Sequence, residues 1–520
     1  MAAAPAVRFL VVCVSGLLLS VGGNASETAD PENAPVLSGA ELNWTMSCRG
    51  CHGTNAEGTE GGAPNMAGQV SRFLRVEGGR QYLVRVPGVA FANLSDSEVA
   101  ELLNWMLRKF DKENIPDSFS PYDGKEVGRL REKPLLTSVA EVRRELILKI
   151  DDTPGPDHIG KVLTVTGAIE PDRLGETLMH EHLFIDFWLP ADEPARWNQL
   201  FGRTPPTSPE QLKAWRQPLT MHNRTGMAAR LWANRDAFTL DSLQDALDEV
   251  SDFRELGGGA IVDVTSIGLN RQPEKLKEVS ERTGVRIVMG TGYYRTAWHP
   301  VTLMDMSVRD LALRMYEDIT VGVNGTTVKA GIIGEIPIEK ITSAEPVTGE
   351  SKVLRAAAMA SSWTGAAISI HSDFYDMSKL TLALDLLERD GADLSRVILG
   401  HISNAAVADL SFLEGLLQRG VFLQFDVFGN PWQLSMNDLR GAEAILSLVE
   451  KGYSKQILVS HDMCTKFQLT RFGGFGLKYV HTVLLPYFRD QGMTEAQIED
   501  IMTGNPSRVL PLSRPWKSPH

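Results

Sequence analysis

Residues 161–515 repeat one pattern, in which a short apolar run is followed by a longer stretch whose apolar positions recur at helical spacing. Short apolar runs are typical of buried strands, and the amphipathic stretches between them are typical of crossover helices. The eight runs interpreted as strands are 177–186, 260–266, 286–293, 330–337, 367–373, 397–403, 421–428 and 457–462. Eight strands alternating with helices predict an α/β fold, the (β/α)₈ TIM barrel, whose chemistry gathers at the carboxyl ends of the strands.

The residues before the barrel follow a different pattern. Leu94-Ser95-Asp96 opens an amphipathic run that ends near Phe110, with Ser95 placed as the N-cap and Glu98 at the capping-box position. A small all-α domain is therefore predicted at residues 38–112. Residues 113–160 are rich in proline, glycine and charge and contain one helical patch near residues 139–150, and we interpret them mainly as a linker to the barrel.

Composition agrees with a multidomain protein. A chain of 520 residues that is 43% hydrophobic and 22% charged exceeds what one core usually supports. The net charge of -13, without a basic stripe, argues against nucleic acid as a partner. A small-molecule substrate is expected instead.

The first 25 residues have the pattern of a signal peptide. Arg8 precedes an apolar run, residues 9–21, and small residues follow at Gly23, Ala25 and Ser26. The run is too short to span a bilayer comfortably, and no other segment approaches the required length, so no membrane span is expected. The mature protein is therefore expected to be periplasmic or secreted.

Cys48, Cys51 and His52 form a C-x-x-C-H motif, in which two thiols attach covalently to a haem and the histidine supplies one axial nitrogen to iron. A redox C-x-x-C pair or half of a zinc site are alternatives, but neither a second cysteine pair nor a βαβ pattern accompanies the motif. With the capped helix that follows, the region resembles a class I type cytochrome c domain.

The second axial ligand of that haem is not identified in the sequence. The family usually has a Met-Pro pair before its final helix, whereas this chain has Val86-Pro87. Met66 and Met106 are the nearby thioethers, and core packing is the favoured interpretation of both. The iron is expected to be five-coordinate or bound by another ligand.

Histidines and carboxylates lie at the ends of the expected barrel strands, where the fold places its chemistry. On the first strand, His180 and His182 are separated by one residue, so both imidazoles point the same way and Glu181 points away from them. The later strands end with Glu335, His371, His401 and the pair His461-Asp462. One such residue is no metal site, but together they predict one.

These stretches resemble the phosphotriesterase family of the amidohydrolase superfamily. The resemblance rests on Leu174–Leu183, Gly400-His-Ile-Ser, Val459-Ser-His-Asp and Gly504-Asn-Pro-Ser-Arg. It implies that His180, His182 and Asp462 hold one divalent ion, that His371 and His401 hold a second, and that Glu335 bridges them. Many relatives bridge the ions with a carboxylated lysine, but the nearest lysine upstream, Lys329, lies about 20 Å from Glu335 along a strand.

The resemblance implies hydrolysis. Two divalent ions, with zinc favoured over manganese, iron or cobalt, would share a bridging hydroxide at neutral pH, and Asp462 would accept a proton. Lactones and carboxylic esters are the preferred substrates, with phosphotriesters second. Two alternatives stay open, a haem-coupled oxidoreductase that takes electrons from the barrel, and a metal-bearing binding or sensing protein without turnover.

The substrate pocket is expected to use loops beyond the strands. Candidates are Tyr293, Tyr294 and Arg295 after the third strand and Trp432 after the seventh. A redox protein partner for the haem and a homodimer of the barrel are both compatible with the resemblance, although the sequence identifies no interface for either.

Overall fold

The structure is a computed structural model. It describes residues 39–56, 58, 63–64, 66–136, 138–151, 158–188, 205–228, 234–343, 348–373, 376–403, 409–430 and 438–514. The expected signal peptide, residues 1–25, and the pocket candidate Trp432 lie outside these residues.

The N-terminal module is all helical in its described residues. Its α-helices are α1 Gly39–Ser47, α2 Arg49–His52, α3 Gly79–Arg85, α4 Pro87–Ala90, α5 Asp96–Phe110, α6 Gly124–Arg131 and α7 Val139–Asp151, and a 3₁₀ turn covers Val70–Arg75. Helix α5 begins where the sequence predicts, because the Glu98 amide donates to Ser95 Oγ and the Ser95 amide donates to Glu98 Oε2.

The core of this module is aromatic and aliphatic. Trp44 on α1 packs against Phe110 at the end of α5, with ring centroids 4.7 Å apart. Phe73 stacks on Tyr82 at 5.0 Å. Burial of such large side chains is the main stabilising contribution that a module of this size can make.

Residues 113–160, expected mainly as a linker with one helical patch near residues 139–150, contain more packed helix than that interpretation. Helices α6 and α7 lie in this segment, and Val127, Leu146, Ile147 and Ile150 are buried in the same apolar cluster as the helices before them. Each helix has an apolar face, which is hard to recognise in the sequence because the segment is rich in proline, glycine and charged residues. The described residues from 39 to 151 therefore share one core.

The barrel region contains eight parallel strands in one sheet, together with four short strands outside it. The strands are β1 Val162–Thr164, β2 Gly167–Ile169, β3 Thr177–Glu181, β4 Ile185–Asp186, β5 Thr239–Leu240, β6 Ala260–Asp263, β7 Arg286–Thr291, β8 Ile332–Pro337, β9 Ile368–His371, β10 Val397–Leu399, β11 Phe422–Phe425 and β12 Ile457–Val459. All eight strands expected from the sequence are present, each shorter than its apolar run.

The sheet runs in the order β3-β6-β7-β8-β9-β10-β11-β12, and each neighbouring pair is parallel. Beyond the ends of β3 and β12, the His182 amide donates to Met463 O at 3.1 Å, and the Asp462 amide donates to His180 O at 3.1 Å. These bonds draw the first and last strands together. The expected TIM barrel is thereby confirmed as an eight-stranded parallel near-barrel.

Helices alternate with the strands after β4. Their bounds are α8 Pro209–Arg216, α9 Arg224–Ala228, α10 Leu243–Glu255, α11 Pro273–Thr283, α12 Val308–Thr320, α13 Gly349–Thr364, α14 Ser378–Arg389, α15 Leu410–Gln418, α16 Asp438–Glu450, α17 Leu485–Asp490, α18 Glu495–Glu499 and α19 Asn505–Val509. No helix in the described part of the chain is long and apolar enough to cross a membrane.

The helical module contacts the barrel near the end of α12. Gln69 Nε2 donates to Thr326 O at 3.1 Å, and Val321 packs against the core of the module. A cavity of about 640 Å³ lies beside this contact, with Pro64 on the module side and Tyr293 on the barrel side.

Candidate functional site

Strand β3 brings His180 and His182 to the carboxyl end of the sheet, and both side chains are buried. His182 Nε2 lies 3.3 Å from Asp462 Oδ1, and His180 Nε2 lies 3.7 Å from the same oxygen. These three residues offer ligand atoms that lie within 4.8 Å of one another, a spacing that fits one metal ion.

A second group shares His180 with the first. Glu335 Oε2, on β8, lies 3.4 Å from His180 Nε2 and 3.5 Å from His401 Nε2. His180, Glu335 and His401 again present ligand atoms within 4.8 Å of one another. The other oxygen of Glu335 lies 3.6 Å from His182 Nε2, so the Glu335 carboxylate faces both groups.

His371 lies beside the second group. Its ring centroid is 4.5 Å from that of His401, and its Nε2 is 3.3 Å from the hydroxyl of Tyr294. Burial lowers the pKa of His371 well below its ordinary value, and the positive charges of His401 and Arg295 act in the same direction. A neutral imidazole is the form that binds a metal.

The donor set fits divalent metal ions. His180 Nε2 and Glu335 Oε2 are fully buried and form no hydrogen bond with any described residue, although they face each other. A buried, unsatisfied polar atom costs free energy unless a partner satisfies it. Imidazole nitrogens and carboxylate oxygens at this spacing are the ligands of zinc and similar ions.

Asp426 is a site residue that the sequence analysis missed. It directly follows β11, with no exposed surface, and its Oδ2 lies 2.9 Å from His180 Nδ1. Its Oδ1 lies 3.0 Å from His401 Nδ1, and the carboxylate also accepts from the His401 amide. Burial alone would raise the pKa of Asp426, but His401 and His180 hold it well below the ordinary value.

This carboxylate fixes both rings through their Nδ1 atoms and directs each Nε2 toward Glu335. The signal in the sequence was a charged residue inside the apolar run 421–428, which an ordinary buried strand would not contain.

Gly400 makes this arrangement possible. A Cβ at this position would lie 2.7 Å from Ile370 O, 3.0 Å from Asp426 Oδ2 and 3.7 Å from His180 Nδ1. A side chain would therefore displace either the neighbouring strand or the Asp426 carboxylate. The absence of a Cβ lets β9, β10 and Asp426 approach one another behind the candidate ligands.

Glu181 points away from the metal groups, as its position on the strand predicts. Its Oε1 lies 2.7 Å from His461 Nδ1, and its Oε2 accepts from the Met463 amide. The other ring nitrogen of His461, Nε2, accepts from the Val480 amide. His461 therefore anchors the loop after β12, and the neighbouring Asp462 is the residue that faces the metal groups.

The expected pocket residues occupy different places. The side chain of Tyr293 is buried and lines the cavity beside the helical module, whereas the next residue, Tyr294, contacts His371. Arg295 lies at the same strand end and pairs with Glu339, with Nε 2.7 Å from Oε1. Tyr294 is a pocket candidate of the sequence analysis together with Tyr293, and of the two tyrosines it is the one whose hydroxyl lies beside a candidate ligand.

In the helical module, Cys48 and Cys51 form no disulfide within the described residues, and His52 Nδ1 lies 3.1 Å from Pro64 O. Burial raises the pKa of the Cys48 thiol to about 11. Donation from Nδ1 to a carbonyl is how proteins orient a histidine whose other nitrogen, Nε2, binds a metal.

Comparisons with known proteins agree with this geometry. The Phosphotriesterase family model matches residues 160–510. N-acetyltaurine hydrolase from Bos taurus is 32% identical over 361 residues, which are 68% of this chain and 98% of that protein.

Two solved structures share the fold. A resiniferatoxin-binding protein from Rhodobacter sphaeroides matches with a TM-score of 0.61 and 35% identity, covering 69% of this chain and 97% of that one. A lactonase from Listeria monocytogenes matches with a TM-score of 0.54 over 68% of this chain and 100% of that one, and its 23% identity shows the fold alone. With the family match over residues 160–510, these findings establish that the chain belongs to the phosphotriesterase family of metal-dependent hydrolases and is itself a hydrolase.

Proposed function

We propose that the chain is an exported hydrolase with two divalent metal ions that acts on a carbonyl substrate, with phosphotriesters as the second class. One observation carries the proposal. The Glu335 carboxylate faces two ligand groups at once, because one oxygen lies 3.6 Å from His182 and the other lies 3.5 Å from His401. A carboxylate between two sets of imidazoles is suited to bridge two ions.

In this proposal His180, His182 and Asp462 hold one ion, and His371 and His401 hold the other. Zinc is the preferred ion, because it accepts nitrogen and carboxylate ligands in low coordination numbers. Manganese, iron and cobalt remain alternatives with the same ligand chemistry. Asp426 keeps the Nδ1 atoms of His180 and His401 engaged, so that their Nε2 atoms serve as ligands.

When bound, two divalent ions would supply a strong nucleophile from water at neutral pH and would polarise the substrate oxygen. The chain's own residues hold the proton and the substrate. Asp462 accepts the proton at its carboxylate. Gln468 Nε2 holds the backbone of this residue by donating to the Asp462 carbonyl at 2.8 Å. The Tyr294 hydroxyl, next to His371, is placed to donate to a substrate oxygen.

Carboxylic esters and lactones are the preferred substrates, and the comparisons add amides. The N-acetyltaurine hydrolase of cattle is named for a substrate in which an acyl carbonyl is joined to an amine that carries a sulfonate. The same nucleophile, proton acceptor and oxygen donor serve an amide carbonyl, so N-acyl compounds belong in the substrate class proposed for this chain.

Glu335→Ala tests the metal-bridge proposal. Loss of the shared carboxylate is expected to lower the bound metal from two ions to one or none, and to reduce ester, lactone and amide hydrolysis about 100-fold or more. Metal content is measured by mass spectrometry on the purified protein, and Glu388→Ala, on the surface, is the matched control. Intact metal content and intact hydrolysis in Glu335→Ala would show that Glu335 is not the bridge.

We also propose that the chain is exported and that its helical module carries a covalent c-type haem at Cys48 and Cys51 with His52 as axial ligand. The contact between His52 Nδ1 and Pro64 O supports this proposal, because it leaves Nε2 for iron. A haem supplies one-electron redox chemistry when it is bound.

Expression with a haem-attachment system should give a haem that survives denaturation, as measured by mass spectrometry and by a pyridine haemochrome spectrum. Cys48→Ser with Cys51→Ser should lose it, and His52→Ala should keep the thioether bonds but change the spectrum. If the protein expressed in an oxidising compartment does not gain the mass of a haem, the haem proposal is contradicted. The hydrolase proposal is not affected by that result.

A second candidate function, a haem-coupled oxidoreductase, is favoured by the contact between the module and the barrel. Pro64, which accepts from His52, lines the same cavity as Tyr293, whose neighbour Tyr294 contacts His371. Incubation of the oxidised holoprotein with substrate distinguishes the two functions. Haem reduction that requires substrate would support coupling, whereas product formation without reduction would support plain hydrolysis.

A further inference from the structure

Arg295 lies at the rim of the metal groups, between the ends of two barrel strands. It follows Tyr294, whose hydroxyl is 3.3 Å from His371 Nε2. Its Nε lies 2.7 Å from Oε1 of Glu339, which is four residues beyond Glu335. Arg295 is therefore held close to the reacting centre, because it follows Tyr294 and pairs with a residue just beyond the next barrel strand.

The guanidinium of Arg295 is held in place, and it has hydrogen-bond donors beyond the one that faces Glu339. Its Cζ lies 5.8 Å from the centroid of the Trp298 ring, and its side chain is 37% exposed. Its ion pair with Glu339 is made through Nε, at one edge of the guanidinium. A guanidinium has five N–H donors in a planar fork that matches a carboxylate or sulfonate, so the donors not used by Glu339 are available to an anion.

The other charges around Arg295 are already engaged. Both oxygens of Glu350 accept from backbone amides, those of Thr296 and Lys340. Lys379 Nζ lies 2.5 Å from Asp373 Oδ2 and donates to the Glu339 carbonyl at 2.6 Å. Glu339 is thus the direct carboxylate partner of Arg295 in the described rim, and the charge of Lys379 is paired with Asp373.

We propose that Arg295 is a specificity-determining residue that binds a carboxylate or sulfonate on the substrate, so that the preferred substrates are N-acyl amino acids or N-acyl aminosulfonates. This inference rests on the proposed hydrolase function. The acyl carbonyl would lie at the metal groups, and the acidic tail of the amine would reach the rim between β7 and β8. Arg295 therefore contributes to substrate affinity more than to the chemical step.

A matched pair of substrates tests the inference on the full-length, metal-loaded protein. N-acetyltaurine and N-acetyl-β-alanine carry the anion, and N-acetylethanolamine is a neutral amide of similar size. Arg295→Met should raise KM for the two anionic amides about 10- to 100-fold and leave the neutral amide within about twofold. Arg295→Lys should recover part of the affinity, because a lysine keeps the charge without the fork.

Arg282→Gln, an exposed arginine on α11, is the control for the loss of one positive charge. Calorimetric titration with ethanesulfonate, an unreactive anion, adds a measurement that needs no turnover. Wild type should bind it more tightly than Arg295→Met does. An equal loss on charged and neutral amides, or equal ethanesulfonate binding by the two proteins, would overturn the assignment of Arg295.

The outcomes also separate this inference from the proposed function. If the wild-type protein hydrolyses neutral esters and amides without preferring anionic ones, the role of Arg295 is wrong and the hydrolase stands. If the metal-loaded protein hydrolyses no carbonyl compound, the proposed function fails, and the titration with ethanesulfonate still decides whether Arg295 binds an anion.

Discussion

Asp426 controls the candidate metal site from behind the ligands. One carboxylate contacts the Nδ1 atoms of both His180, on the first barrel strand, and His401, just after the sixth. It cannot face the metal groups itself, because the two rings stand between it and Glu335. Its effect is to fix the orientation of both imidazoles and to increase their basicity.

Asp426→Asn is therefore expected to weaken metal binding about 10- to 100-fold with little change in fold. An amide can accept from one imidazole, but it cannot give both rings the same charged partner. Competition with a chelator measures the affinity, and Asp385→Asn, on the surface, is the matched control. Unchanged metal affinity in Asp426→Asn would mean that the Asp426 carboxylate is not needed to orient His180 and His401.

Gly400→Ala should disturb the contact between Asp426 and His180, because Gly400 packs against the Asp426 carboxylate. The new methyl group would meet Asp426 Oδ2 at 3.0 Å and Ile370 O at 2.7 Å, so the backbone or the carboxylate must shift. We expect weaker metal binding together with a loss of stability of about 1 to 3 kcal/mol. Gly415→Ala, where a Cβ meets open space, is the control in thermal unfolding. Normal metal binding by Gly400→Ala would contradict the packing argument.

At the scale of elements, helix α12 is held against the barrel by the buried carboxylate of Asp318. Asp318 Oδ2 accepts from Thr291 Oγ1 on β7 at 2.6 Å and from Arg271 Nη1 at 2.8 Å. Arg314 Nε lies 3.4 Å from the other oxygen. Burial alone would raise the pKa of Asp318, but the two arginines hold it below its usual value of 3.8.

Asp318→Asn should destabilise the protein by about 3 to 5 kcal/mol at pH 7, because it leaves the Arg271 guanidinium buried without its counterion. Since the folded pKa is depressed, the contribution of Asp318 is present above pH 3.8 and is lost as the pH falls below that value. Urea unfolding at pH 7 and at pH 3 should therefore differ less in the variant than in the wild type. An unchanged midpoint at pH 7 would contradict the prediction.

The strands could be predicted from the sequence because each is a continuous apolar run, as expected for a parallel sheet buried on both faces. The residues at which the strands end could not be predicted in this way. The ladder stops where the backbone turns to present candidate ligands, and His401 and Asp462 both take left-handed conformations, with φ of 56° and 50°. That strain is local, and it is offset by bonds from distant strands, such as the His401 amide to Asp426.

The same limit applies to the site. The candidate ligands could be found because they are polar residues at strand ends, where the fold predicts chemistry. Asp426 was missed because it lies inside an apolar stretch of the sequence. Its role depends on which residues lie opposite in space, and His180 is 246 positions away in sequence (426 − 180).

At the scale of the whole molecule, the helical module and the barrel meet through a small contact. Val321, just after α12, packs against the apolar core of the module, and Gln69 bonds to Thr326 O beside it. The buried residues of the module form a cluster separate from the barrel core. Two cores joined by few contacts are expected to unfold separately once those contacts are lost.

Val321→Asp is expected to uncouple the two parts, because it places a charge against the apolar core of the module at a cost of several kcal/mol. Thermal unfolding should separate into two transitions. Hydrolysis by the barrel should change less than twofold, since Val321 contacts none of the candidate ligands. Val301→Asp, at a position that is 72% exposed, controls for the added charge. A single transition in Val321→Asp at the wild-type temperature would show that the contact does not hold the module to the barrel.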